Sequence, residues 1–155
     1  MDIEYRRLLP TESLIYRYIR LECLKDFPEA FGTKYENAIL QEKTGFQLSI
    51  ENSDELKFVV GAFDDKIIIG ICAFERNNML GNIYQMYVKP KYSGQKIGYQ
   101  LLLKTIEEIH KLDNDIEIYL EVKINNIRAK KLYEKIGFKM IECIDDEYKM
   151  KYNNL

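Results

Sequence analysis

Tryptophan is absent from this sequence, histidine occurs once, and cysteine and proline occur three times each. The cysteines, Cys23, Cys72 and Cys143, stand alone. An odd count without C-x-x-C spacing argues against a disulfide framework or a zinc motif. It fits small core residues in a reducing, cytoplasmic setting, with no metal site. Long apolar runs are also missing. The longest, residues 67–74, is far short of the roughly 18–20 residues a helix needs to cross lipid. The acidic start Met1-Asp2-Ile3-Glu4 lacks the apolar segment of a signal peptide. A large charge of either sign is missing too. Twenty-three basic against 25 acidic residues give −2, which excludes a dedicated nucleic-acid binder. The small imbalance is uneven. Residues 1–80 carry a net −4 and residues 81–155 a net +2, the second pointing to an anionic ligand.

What is present is an ordinary globular composition, 46% hydrophobic and 31% charged in 155 residues. That is enough for one domain over 1–155. Periodicity predicts a strand over 2–8 and a helix from Pro10-Thr11-Glu12 to Lys25, with Leu14, Ile15, Tyr18, Leu21 and Leu24 at helical spacing. A loop follows over 27–32, then a short helix over 33–42. Strands are expected over 56–63 and 66–75 around Asp64-Asp65, and, after a turn at Arg76-Asn77-Asn78, over 82–88. A strongly amphipathic helix runs from Gly98 to about Leu112. A strand over 116–122 precedes a helix from Asn126, whose buried side is Ile127, Ala129, Leu132, Tyr133 and Ile136 and whose C-cap is Gly137. A hairpin over 138–144 and 147–152 ends the chain.

Two stretches carry chemistry. Between the strand at 82–88 and the next helix lies Lys89-Pro90-Lys91-Tyr92-Ser93-Gly94-Gln95-Lys96-Ile97-Gly98. A turn of this kind aims backbone N–H groups and the positive end of the helix dipole at one point, which suits a phosphate. Glycine admits a ligand close to the amides. The stretch lacks both the Walker A ending and G-x-G-x-x-G. The second stretch is Leu120-Glu121-Val122, then Asn125-Asn126-Ile127-Arg128-Ala129 through Leu132-Tyr133 to Gly137-Phe138.

This strand–loop–helix–Gly-Phe pattern resembles motif B of the GCN5-related N-acetyltransferases (GNAT). The preceding turn resembles their motif A, with the pyrophosphate loop falling on residues 93–98. The resemblance covers residues 56–145 well. Asp26-Phe27-Pro28-Glu29-Ala30-Phe31-Gly32 is similar to a segment of members that act on small amines. It implies an α/β (α+β) fold with helices on both faces of a mixed, mostly antiparallel sheet, splayed between the strands at 82–88 and 116–122. It implies acetyl transfer from acetyl-CoA directly to a primary amine, with no covalent enzyme intermediate.

The cofactor residues implied are Met86, Tyr87 and Val88 on the strand; Ser93, Gly94, Gln95, Lys96, Ile97, Gly98 and Tyr99 in the loop; and Asn126, Ala129 and Tyr133 on the last helix. Tyr133 is implied as the acid that protonates the departing sulfur. A strand N–H near Tyr87 or Val88 is implied to stabilise the oxyanion. Glu29, Phe31, Tyr35 and Tyr84 are implied on the acceptor side, where acids such as Asp26, Glu29 and Glu36 favour a cationic, polyamine-like amine. An amino-terminal peptide is the alternative acceptor. Monomer and homodimer are both compatible. Two departures stand out. Ser93 replaces the usual Arg or Gln, and Lys96 the usual Gly. Tyr84 and Gln85 occupy the place where several members carry a glutamate base, which leaves the base unassigned. A sensor that binds CoA without turnover is the competing class of function, and a nucleotide-binding protein using the 94–98 turn is a third. His110, late on its helix, and Glu121 read as structural.

Overall fold

The computed structural model describes residues 2–31 and 33–153; Gly32, in the expected loop, and Met1 lie outside the described residues. The elements run β1 (Ile3–Arg7), α1 (Ser13–Asp26), α2 (Tyr35–Leu40), α3 (Gly45–Glu51), β2 (Lys57–Asp64), β3 (Ile67–Asn77), β4 (Leu80–Val88), α4 (Ile97–Leu112), β5 (Glu117–Lys123), α5 (Ile127–Ile136), β6 (Phe138–Ile144) and β7 (Glu147–Tyr152). Short 3-10 turns at Pro10–Glu12 and Pro90–Tyr92 lead into α1 and the turn before α4.

The seven strands form one sheet in the order β1-β2-β3-β4-β5-β7-β6. Every neighbouring pair is antiparallel except β4–β5, which is parallel. β2 and β3 are covered on both faces and therefore read as near-continuous apolar runs. Alternate residues feed two cores. Val60, Ile69 and Cys72 pack under α4 with Leu101, Leu102 and Ile106. Val59, Ile71 and Ala73 pack with Tyr16 and Ile19 of α1 and Phe46 and Ile50 of α3.

Three sequence expectations change. The spacing assigns no helix to residues 43–55, yet α3 is there. Thr44 caps it: its hydroxyl accepts from Gln47 N at 3.1 Å, and the Gln47 side chain accepts from Thr44 N at 3.0 Å, a reciprocal box that takes up two orphan donors. α1 also turns a different face inward. Tyr16, Ile19, Arg20, Cys23 and Leu24 are buried, while Leu14, Ile15 and Tyr18 face solvent. Ile127 of α5 and Cys143 of β6 are likewise exposed rather than core.

The parallel contact that positions the site is short. β4 and β5 are in register only at Leu80↔Glu117, Gly81↔Ile118 and Asn82↔Tyr119. Beyond Asn82, β4 stays with β3 and β5 with β7, so the sheet opens. Gly81 lets this joint close, because a Cβ there would collide with the buried Phe74 ring and lie 3.2 Å from Ile116 Cγ2. Gly81→Ala is expected to destabilise the fold by about 1–3 kcal/mol through overpacking, read as a lower urea midpoint. An unchanged midpoint would show that the joint has slack.

Candidate active site

A cavity of about 500 Å³ occupies the opening between β4 and β5. On the α5 side it is lined by Leu120, Val122, Asn126, Ala129, Leu132 and Tyr133. On the α1 side it is lined by Arg20, Phe31, Phe46, Tyr84, Gln85 and Glu121. The cavity therefore connects the two faces of the sheet.

A β-bulge shapes the β4 wall. The register with β3 passes from Ala73↔Tyr84 to Ile71↔Tyr87, one extra residue on β4. Gln85 takes it up in left-handed conformation, at φ +57°. The extra residue reverses the alternation beyond it. Tyr87 lands in the core under α1, while Met86 and Val88 pack towards α4. The Tyr16 hydroxyl donates to Gln85 Oε1 at 2.6 Å, so the Gln85 side chain is committed to holding the bulge.

The turn into α4 keeps an open concave surface. Gly94 has φ +80°, and a Cβ there would meet nothing within 4 Å. Lys96 adopts the left-handed conformation, φ +61°, immediately before α4, so the backbone keeps its shape despite the side chain that replaces glycine. The N–H groups opening α4 are those a helix leaves without internal partners. Gly98 lies close to Met86 Cε, which a Cβ would meet at 3.3 Å. Beside this turn, Arg128 of α5 donates through Nη2 to Ser93 Oγ at 3.1 Å. Nothing local in the sequence announces that pairing across 35 positions.

At the start of α5, Asn126 Oδ1 accepts from Ala129 N at 3.2 Å, capping the helix. Its amide NH₂ is the part left for a ligand. Tyr133 is buried, with its ring edge-on to Phe138 at 6.1 Å between centroids. Burial pushes its phenol well above the ordinary value, so it carries its proton at neutral pH. Glu121 lies beside Glu147, whose carboxylate, together with partial burial, raises the Glu121 carboxyl above its usual range. Glu147 is held down by Glu121 and by Lys123, whose ammonium lies at 3.1 Å.

Among the sequence-derived residues, Phe31, Tyr84, Met86, Asn126, Ala129 and Tyr133 share the cavity. Tyr87 and Val88 flank it on β4, and Ser93, Gly94, Gln95, Lys96, Ile97, Gly98 and Tyr99 form the turn and the first residues of α4. Glu29 lines a separate recess with Asp145 and Asp146. Tyr35, Asp26 and Glu36 line neither. His110 packs near Tyr152. The residues that sequence reasoning missed are Arg20, Arg128 and Glu147, all brought in by tertiary packing, while Glu121, read as structural, faces the cavity.

The family model described as "Acetyltransferase (GNAT) family" matches residues 16–138. The chain belongs to the GNAT acetyltransferases. The family spans both faces of the cavity, from α1 to the start of β6. A spermidine N(1)-acetyltransferase of Thermoplasma acidophilum is 32% identical over 92 residues, 59% of this chain and 56% of that one. An N-alpha-acetyltransferase of Saccharolobus solfataricus is 28% identical over 149 residues, 94% of this chain and 77% of that one. In several curated relatives the match takes in only 38–56% of their own length. The crystal structure of PaiA N-acetyltransferase from Thermoplasma acidophilum in complex with coenzyme A superposes with a TM-score of 0.80 at 25% identity, covering 99% of this chain and 100% of that one. The GNAT fold, a mixed seven-stranded sheet with helices on both faces, is thus the fold of this chain.

Proposed function

We propose that this chain transfers the acetyl group of acetyl-CoA directly to a primary amine inside the β4–β5 cavity. The observation that carries the reading is that one cavity joins Asn126 and Tyr133 on the α5 side to Tyr84 and Glu121 on the α1 side. Donor and acceptor can enter from opposite faces and meet in the gap. The residues fit the donor. The open Gly94 cradle, the N–H groups of residues 94–99 and the Arg128–Ser93 pair suit a pyrophosphate. The β4 backbone at Met86 and Val88, unused by β5, and the Asn126 amide suit the amides of the pantetheine arm. When bound, acetyl-CoA supplies an activated acetyl group as a thioester.

The chain's own groups do the rest. N–H groups of β4 near Tyr87 and Val88 offer donors where negative charge develops. Tyr133 holds a proton for the departing sulfur. A thiolate, whose conjugate acid has an ordinary pKa of about 8.5, is a weaker base than a phenolate above about 10, so the phenol steadies the departing sulfur as a hydrogen-bond donor, and the proton that the acylated nitrogen sheds replaces any that it gives up. Glu121, its affinity for a proton raised by Glu147, takes the proton of the incoming ammonium. Of the acids at the cavity, Glu75 and Glu147 are paired with lysines, which leaves Glu121 to draw a cationic amine. The relatives' names supply two kinds of acceptor, a small polyamine-like amine and the amino end of a protein. Three free thiols fit a reducing, cytoplasmic setting.

In a thiol-release assay with acetyl-CoA and a panel of amines, Tyr133→Phe is expected to lower kcat by about 100-fold while leaving the Kd for CoA within about threefold. An unchanged kcat would remove Tyr133 from the reaction. The base has a pH signature. Glu121 must be ionised to act, so kcat/KM rises with pH through its raised pKa. Glu147→Gln removes the neighbouring negative charge, lowers that pKa, and should move the acid limb of kcat/KM to lower pH. An unmoved limb would assign the base elsewhere.

A further inference from the structure

Arg20 is buried to 6% exposure on α1 and lines the α1 end of the cavity. Its Nη1 has no hydrogen-bond partner among the described residues. The guanidinium lies over the Phe31 ring, its Cζ 4.9 Å from the centroid, a contact that gives Nη1 no acceptor. Its polar neighbours do not answer its charge. Burial pushes the Tyr16 phenol and the Cys23 thiol each up to about 12, so both are neutral at physiological pH. Two of the cavity's three carboxylates have lysine partners, Glu75 with Lys57 at 3.3 Å and Glu147 with Lys123 at 3.1 Å, and the third, Glu121, lies against Glu147. A buried arginine always stays charged, and a buried cation with a spare donor is costly unless something completes it. Arg20 also lines the cavity, which is where a completing group can come up against its guanidinium.

We propose that Arg20 is a specificity-determining residue that donates a hydrogen bond to an oxygen on the acceptor, a carbonyl or carboxylate borne close to the primary amine. This rests on the acetyl-transfer reading above and narrows its acceptor to α-amino compounds. An amino acid or a peptide amino terminus carries such an oxygen one carbon from its amine. A polyamine carries none, and its second ammonium would be repelled by the buried guanidinium. Sites built to hydrogen-bond a substrate group discriminate strongly against analogues that lack it. Phe31 lies against the guanidinium, so an aromatic of the α1–α2 segment belongs to the same wall.

The test compares a short peptide with a free amino terminus, a free amino acid, a simple alkylamine and spermidine as acceptors with saturating acetyl-CoA. It uses the wild type, Arg20→Gln and Arg20→Lys, with the Kd for CoA reporting that each variant is folded. The expected result is a kcat/KM for an oxygen-bearing acceptor at least about 100-fold above that for the alkylamine. Arg20→Gln should lose most of that ratio, chiefly in KM, with Arg20→Lys recovering part of it. A preference for the amino acid identifies a carboxylate as the oxygen; a preference for the peptide identifies a backbone carbonyl. Either supports the inference. Spermidine or the alkylamine as the best acceptor, or an equal loss on all acceptors in Arg20→Gln, overturns it and leaves acetyl transfer standing. No thiol release with any of the four acceptors overturns both.

Discussion

The parallel ladder of β4 and β5 stops after Asn82 and Tyr119, and the cavity lies beyond that point. Each strand keeps its other neighbour, β3 for β4 and β7 for β5, so the opening costs the sheet little of its pairing. It leaves one wall of backbone donors and acceptors without strand partners. Such groups need partners when water is excluded, and an amide-bearing chain of extended shape can provide them. The three-residue joint fixes where the two walls begin to part. The Gln85 bulge, locked by the Tyr16 hydroxyl, fixes which side chains of β4 face each side.

The two faces of the gap differ in chemistry. Towards α4 and α5 the groups are backbone N–H donors, a capped helix start and a phenol that burial keeps protonated. Towards α1 they are carboxylates, a guanidinium and aromatic rings. The first set suits an anionic, amide-rich donor, and the second an amine. The mild charge skew of the sequence, −4 in the first 80 residues and +2 in the rest, follows this division only in part. The acids that reach the cavity are Glu75 from the first half and Glu121 and Glu147 from the second.

Local patterns were the legible part of the sequence. Gly94, Gly98, Asn126, Tyr133 and Gly137 each act within a few residues of chain, as turn, cap or helix face, so spacing placed them on their elements, while the family resemblance implied what Asn126 and Tyr133 do there. The Thr44–Gln47 box is equally local and was readable in principle, but α3 is only seven residues long, too short for its apolar period to stand out. Gln85 could not be read, because a bulge exists only relative to the register of β3. Arg20 was hidden by a helix whose exposed face, Leu14, Ile15 and Tyr18, is as apolar as its buried one. Arg128 and the Glu121–Glu147 pair depend on α5 meeting the turn before α4, and on β5 meeting β7.

Backbone hydrogen exchange with and without saturating CoA tests the central claim most directly, that the parted strands and the turn before α4 hold the donor. The account predicts slowed exchange concentrated at residues 86–88 and 94–99, with little change in β1 and β2. Full CoA binding without protection in either stretch would contradict it.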